Sequence, residues 1–301
     1  MPVKFGLVAI SVATGVVLQA QTPALQDVLT RAGEYHTSYT RKISGVSLEE
    51  QTQLMNVSGG TTRSIVRISA DVVLVNASGQ AEALRDVYAI DTRPTRERTP
   101  RILQLLGAPA KPSIKDWQTA ISYPGKETVY FLLDIVVKTN EPTTALQFIS
   151  AANQPGMKYK LDGRKTMNNV AVVGVRFEEP DGRERKYLLG TRSNGRATGR
   201  LWIDPLTGAI HQTELWVDSR QERTYSEHAT VVVKFAPNEA LGMLLPSEMT
   251  GSHEEFDASG MRQIQTGASG GADVDGRITL QSRAQYSNAT FAAIDLTKFR
   301  R

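Results

Sequence analysis

Residues 200–214 constrain the fold of this chain more than any other segment. Leu201, Trp202 and Ile203 run into Asp204-Pro205-Leu206-Thr207-Gly208, and Ala209, Ile210, His211, Gln212, Thr213 and Glu214 follow. The Asp204 side chain can accept hydrogen bonds from the turn backbone ahead of it. Pro205 presets the φ of a type I turn, and Gly208 supplies a left-handed position from which a second strand can begin. The segment therefore predicts a β-hairpin.

The same pattern repeats through the second half of the chain. Strands are predicted at 158–161, 169–177, 186–189, 200–203, 209–217, 224–235, 248–256, 261–265 and 277–286. Turns separate them at Asp162-Gly163, Asp181-Gly182, Asn194-Gly195, 204–208, Pro237-Asn238 and Ala258-Ser259-Gly260. Connections this short make successive strands antiparallel. In the first half, the β-branched run 64–75 reads as a strand, with 84–90 as its partner across a turn at Ser78-Gly79-Gln80. Helical spacing is found in Leu25, Val28, Leu29, Ala32, Tyr35 and Tyr39, behind a Thr22 cap and Pro23. Short helices are expected at 100–106, 114–121 and 142–152, while the apolar run 128–137 fits either a strand or a buried helix.

Alternation along the strands is blurred. Ile210 and Trp216 stand in phase with Gln212 and Glu214, and 170–177 carries apolar residues in both phases. A sheet apolar on one side and wet on the other would alternate cleanly. The expected class is α+β: a large curved antiparallel sheet, an open half-barrel, with helices packed on its concave face. A two-layer α+β core fits the pattern as well.

Lys4 and the uncharged apolar run 5–18, followed by Gln19-Ala20, read as a secretory signal peptide cut after Ala20, leaving 21–301 as a single β-rich domain. The run is shorter than the roughly 20 residues of a membrane span, and Asp134 interrupts the next most apolar stretch, 129–137. The chain has no cysteine, which excludes a disulfide framework, a thiolate nucleophile and cysteine-bound zinc. The formal net charge is +4, or +4 − 1 = +3 once Lys4 leaves with the signal. Its basic residues are dispersed except at Arg93, Arg96, Arg98 and Arg101, where acids lie close by. That balance fits a solvated face or a peripheral contact with an anionic membrane surface, and not a nucleic-acid site.

Chemistry finds no anchor in the sequence. His36, His211, His228 and His253 lie in separate elements without metal-ligand spacing, although His211 and His228 could be cross-strand neighbours. His253-Glu254-Glu255 lacks the second histidine of a zinc-protease helix. No Gly-x-Ser-x-Gly elbow is present, and Gly59-Gly60-Thr61-Thr62 lacks the lysine of a phosphate loop. Asp273 and Asp275 in the glycine-rich 267–276 lack the further ligands of a calcium loop. The pairs Glu49-Glu50 and Glu178-Glu179 would point to opposite faces of a strand, which spoils them as acid/base couples.

Several short motifs carry a resemblance. These are the first helix with Tyr35 and Tyr39, Leu84-Arg85-Asp86-Val87-Tyr88 with Arg98 and Arg101 downstream, the 201–214 hairpin, Leu245-Pro246-Ser247-Glu248-Met249, and Tyr286-Ser287-Asn288. Together they resemble a group of bacterial exported proteins whose sheet is similar to that of the periplasmic lipoprotein-carrier (LolA/LolB-like) family. The tail 289–301 departs from that pattern by its length. The resemblance implies a half-barrel around an apolar cavity, and hence a periplasmic or secreted, non-enzymatic protein without cofactor that binds a lipid, a lipidated protein or another apolar ligand. Leu201, Trp202, Ile203 and Trp216 are the expected cavity liners. The alternatives are a cell-envelope interaction or scaffold module without a ligand cavity and, behind it, an envelope hydrolase that would need converging Asp, Glu or His side chains.

Overall fold

The computed structural model describes residues 23–58, 61–77, 79–108, 142–180, 196–221, 225–257 and 277–292. The signal segment, Thr22, the elements expected at 114–121, 128–137, 186–189 and 261–265, the turns at 181–182, 194–195 and 258–260, and the loop 267–276 lie outside them.

Among the described residues eleven antiparallel strands form one open sheet. In chain order they are β1 (Val46–Ser58), β2 (Thr61–Ala77), β3 (Gln80–Ile90), β4 (Arg93–Pro94), β5 (Lys158–Met167), β6 (Val170–Glu178), β7 (Arg196–Ile203), β8 (Ile210–Gln221), β9 (Tyr225–Asn238), β10 (Met243–Asp257) and β11 (Arg277–Phe291). Their spatial order is β4-β3-β2-β1-β11-β10-β9-β8-β7-β6-β5. Two meanders, β1–β4 and β5–β11, are thus sewn together where β1 pairs with β11. The short β4 ends one edge with Pro94, whose missing N–H suits an unpaired border.

At about 4.8 Å per strand, a flat sheet of this size would be roughly 48 Å across. Nevertheless one core cluster joins Ala81 and Ala83 of β3, Val72 and Leu74 of β2, Phe177 of β6, Leu201 and Ile203 of β7 and Met249 of β10, with Tyr159 and Leu161 of β5 packed against it. Only a strongly curved sheet brings strands near both borders into a single core. The half-barrel expected from the blurred alternation is the observed class.

Helix α1 (Leu25–Lys42) lies in the concavity, burying Val28, Leu29, Ala32, His36 and Tyr39 along one stripe. It begins at Leu25, and its N-cap, Ala24, gives no side-chain cap. Beside it, 144–149 is a short 3₁₀ turn and not the expected α-helix. All of Ala145, Leu146, Gln147, Phe148 and Ile149 are buried, a burial on every side that a single amphipathic stripe would not give. Phe148 stacks on Phe177 at 4.7 Å. Helix α2 (Arg101–Gly107) packs on the opposite, convex face, where Ile102 and Leu106 meet Val73, Val75 and Leu84.

The 204–208 turn forms as read. Asp204 accepts hydrogen bonds from the Leu206 N–H (2.9 Å) and the Thr207 hydroxyl (2.5 Å), and Gly208 takes φ +76°. Gly208 also lies directly against the Arg31 backbone, where any Cβ would collide, and Arg31 donates to the Pro205 carbonyl at 2.8 Å. The hairpin tip is thereby docked on α1. A register shift next to this turn explains the blurred pattern: Ile203 pairs with Ile210, but Trp202 pairs with Gln212. His211 is the extra residue of a bulge, so Ile210 joins Leu215 and Val217 in the core while Trp216 faces out. Asp162-Gly163 proves to be a second irregularity, inside β5, and the β5–β6 turn falls at Asn168-Asn169, with φ of +47° and +61°. Asparagine tolerates that region, as a two-residue hairpin turn requires.

Candidate ligand-binding site

The C-terminal half of α1 presents Tyr35, Ser38, Tyr39 and Lys42 toward the β9–β10 turn. Between them and Ala209, Pro237, Glu239, Met243 and Leu244 lies a pocket of about 420 Å³, a size suited to a small ligand. Tyr35 and Tyr39 stack at 5.5 Å, and Tyr39 meets the Phe235 ring edge-on at 6.4 Å. Burial pushes both phenols well above their ordinary range, and the neighbouring Tyr35 adds to the effect on Tyr39. Both therefore stay protonated at neutral pH. The Tyr39 hydroxyl is buried in the wall without a hydrogen-bond partner among the described residues. Lys42 and Glu239 are exposed at the rim.

The four residues expected to line a cavity do not share a face. Leu201 and Ile203 are fully buried in the concave core. Trp202 and Trp216 look out from the convex side, in phase with Gln212 and Glu214. The Trp202 indole donates to Glu214 at 2.7 Å, and its ring lies 3.8 Å from the Lys165 ammonium and 5.4 Å from the Arg200 guanidinium. Sequence reasoning placed Tyr35 and Tyr39 on the apolar stripe of the first helix without linking them to Met243 and Leu244. The turn expected at Pro237-Asn238 was the available signal, although both residues still pair in β9 with Leu244 and Met243 and the turn itself falls at 239–242.

Two of the resemblance motifs, 84–88 with Arg98 and Arg101 downstream and 286–288, are far apart in sequence and meet where β1, β2, β3 and β11 adjoin. On the concave side Arg85 pairs with Glu50, next to Tyr286. On the convex side Arg98 contacts Asp71 at 2.6 Å and Glu49 at 3.3 Å, and its guanidinium lies over the Tyr88 ring at 4.4 Å. Arg101 and Arg96 reach Asp86 at 2.9 and 3.2 Å. Hydrogen bonds from Asn288 and from Tyr88, with Arg98 nearby, hold the Glu49 carboxyl below its usual range. Glu49, Asp71, Asp86, Arg98, Arg101 and Asn288 border a second cleft of about 370 Å³ beside α2. Its cations are matched by carboxylates, which makes it a charge-balanced strut and not an anion site.

The histidines remain separate. His36 is buried on α1, and burial pushes its pKa down to about 4. Asn168 lies 3.1 Å from His211, whose pKa burial lowers. His228 contacts Asp218 at the other end of β8, away from His211. His253 lies 3.6 Å from Glu227 in the interior. Among the described residues no group of three or more His, Asp or Glu side chains could hold a metal ion.

No protein-family model matches the chain, and no curated protein matches it. Among solved structures, the chain is similar to an outer membrane lipoprotein-sorting protein domain from Vibrio parahaemolyticus, at 8% identity over 89% of this chain and 95% of that one, with a TM-score of 0.35. It is also similar to a DUF1329 family protein from Desulfovibrio piger, at 10% identity over 93% and 98% of the two chains, with a TM-score of 0.37. A LolA superfamily protein from Nitrosomonas europaea matches at 10% identity over 89% and 97%, with a TM-score of 0.29. The strand order and register described above stand independently of these likenesses.

Proposed function

We propose that this is a non-enzymatic protein of the cell envelope, exported by its N-terminal segment, that holds the apolar part of a lipid or lipidated partner at the mouth between α1 and the β9–β10 turn. The observation that carries this reading is the pocket of about 420 Å³ walled by two stacked tyrosines, Pro237, Met243 and Leu244. Apolar walls with few polar groups suit binding and not reaction. Lys42 at the rim would face an anionic head group, and the Tyr39 hydroxyl offers a buried donor to an ester or acid carbonyl. Leu206, 81% exposed on the docked turn, is the side chain such a protein would lay against a membrane. Leu201 and Ile203 lie deeper and would meet a ligand only if α1 moved off the sheet.

Lipid extracted from the full chain, purified from membrane-containing cells, tests the reading by mass spectrometry. Wild-type protein should carry lipid, and Leu244→Glu should strip it while leaving the fold intact. If the wild type is consistently empty and does not take up a fluorescent fatty acid, the reading fails. A second reading, an envelope interaction module without a ligand, draws on the packed interior, where Phe148, Phe177, Leu201 and Ile203 are completely buried.

A further inference from the structure

The β5 border of the sheet carries a charge arrangement that internal packing does not explain. Lys160 is the cross-strand partner of Arg176, Arg176 of Arg200, and Arg200 of Glu214, so three cations stand in one row before the first acid. Like charges directly opposite one another weaken a sheet. Arg200 is compensated by Asp162 at 2.7 Å and Glu214 at 3.7 Å. Lys160 and Arg176 are exposed, and among the described residues no carboxylate pairs with either. The strand itself, Lys158–Met167, bears four basic residues and one acid, and among the described residues it ends the strand order with its outer edge unpaired.

We propose that residues 158–161 accept an extended acidic segment of another protein as a twelfth antiparallel strand. Tyr159 and Leu161 are half-buried against the concave core, while Lys158 and Lys160 are exposed in the alternate phase. An incoming strand that alternates acidic and apolar residues would place carboxylates on the cation row and apolar side chains over Tyr159 and Leu161, with main-chain hydrogen bonds supplying the rest. The same lysines set the identity of the partner: a second copy of this edge would oppose cation to cation and be rejected, whereas an acidic strand relieves the repulsion. The inference holds whether or not the mouth beside α1 takes a ligand.

The test is fluorescence anisotropy with the full chain and three labelled ten-residue peptides: alternating Glu-Val, alternating Lys-Val, and five Glu followed by five Val. The alternating acidic peptide should bind, and it should slow amide hydrogen exchange within 158–161. The block peptide should bind about tenfold more weakly and the basic peptide not at all. The double variant Lys160→Glu/Arg176→Glu changes exposed side chains, keeps the thermal transition, and should lose about tenfold in affinity for the alternating acidic peptide. Equal binding of block and alternating peptides, or undiminished binding by the variant, would overturn the proposal. So would binding to phosphatidylglycerol vesicles that the double variant abolishes, without any peptide binding, since the row would then be a membrane contact.

Discussion

Arg85 grips Glu50 with its Nε 2.9 and 3.0 Å from the two carboxylate oxygens, across the width of β2 and nearly sealed from water. Tyr286, opposite Glu50 on β11, has its phenol pushed well up by burial and then by the Glu50 charge. Removing one member of such a pair strands the other charge in the interior, so Glu50→Leu or Arg85→Met alone should cost about 3–5 kcal/mol. Replacing both, as Glu50→Leu with Arg85→Met, should recover most of that loss. Urea unfolding of the four proteins forms a double-mutant cycle. Additive losses would show that the two side chains are not coupled.

Gly199 sits where the Phe177 ring crosses β7. A Cβ at this position would collide with that ring and with the Glu214 carbonyl, so the chain must leave the place empty. Gly199→Ala should destabilise the protein by about 1–3 kcal/mol, an overpacking cost. Phe177→Leu in the same chain should return part of it. A thermal melt of the pair of variants reads the effect, and no rescue would mean that the carbonyl, not the ring, sets the limit.

Those two sites mark what sequence could and could not disclose. The β8 hairpin was legible because Asp204, Pro205 and Gly208 dictate local backbone geometry, and local geometry survives into the fold. Strand β1 was not. Val46–Ser58 reads Val-Ser-Leu-Glu-Glu-Gln-Thr-Gln-Leu, polar enough to look like a loop. It is a central strand because its neighbours β2 and β11 cover its edges, and its buried Glu50 finds its partner only across the sheet, in Arg85. Strand β11 lies far away in sequence, so no local pattern could announce the seam. The candidate mouth failed to show for the same reason. Tyr35 and Tyr39 have the spacing of an ordinary core stripe, and only the docking of α1 brings them to Met243 and Leu244. Trp202 and Trp216 stand in the opposite phase to Leu201 and Ile203, Trp216 because of the bulge at His211, and Trp202 covers the convex face beneath Lys165.

The 204–208 turn separates a structural side chain from an exposed one two residues away. Asp204 holds the turn through Leu206 and Thr207, so Asp204→Ala should cost about 1–2 kcal/mol and loosen the tip from α1. Leu206 is 81% exposed, and Leu206→Ser should stay within about 0.5 kcal/mol of wild type. Denaturant midpoints check both. If Leu206 is the membrane contact proposed above, the serine variant should also bind anionic vesicles more weakly at unchanged stability.

His36 supplies a pH test. It is 3% exposed on the buried stripe of α1, and its pKa falls from 6.5 to about 4 in the folded protein because burial penalises the imidazolium. Between those values the unfolded chain binds the proton and the folded one does not, so stability rises with pH through this window. The stabilisation is complete above about pH 6.5 and is lost progressively as the pH falls toward 4, by up to about 3 kcal/mol. Carboxylates titrate at the lower end of the same range, so the informative quantity is the difference between wild type and His36→Leu. Urea unfolding at pH 7.5, 6.0 and 4.5 should show the wild type losing stability faster than the variant. Parallel curves for the two proteins would mean that His36 is hydrated and protonates freely in the folded state.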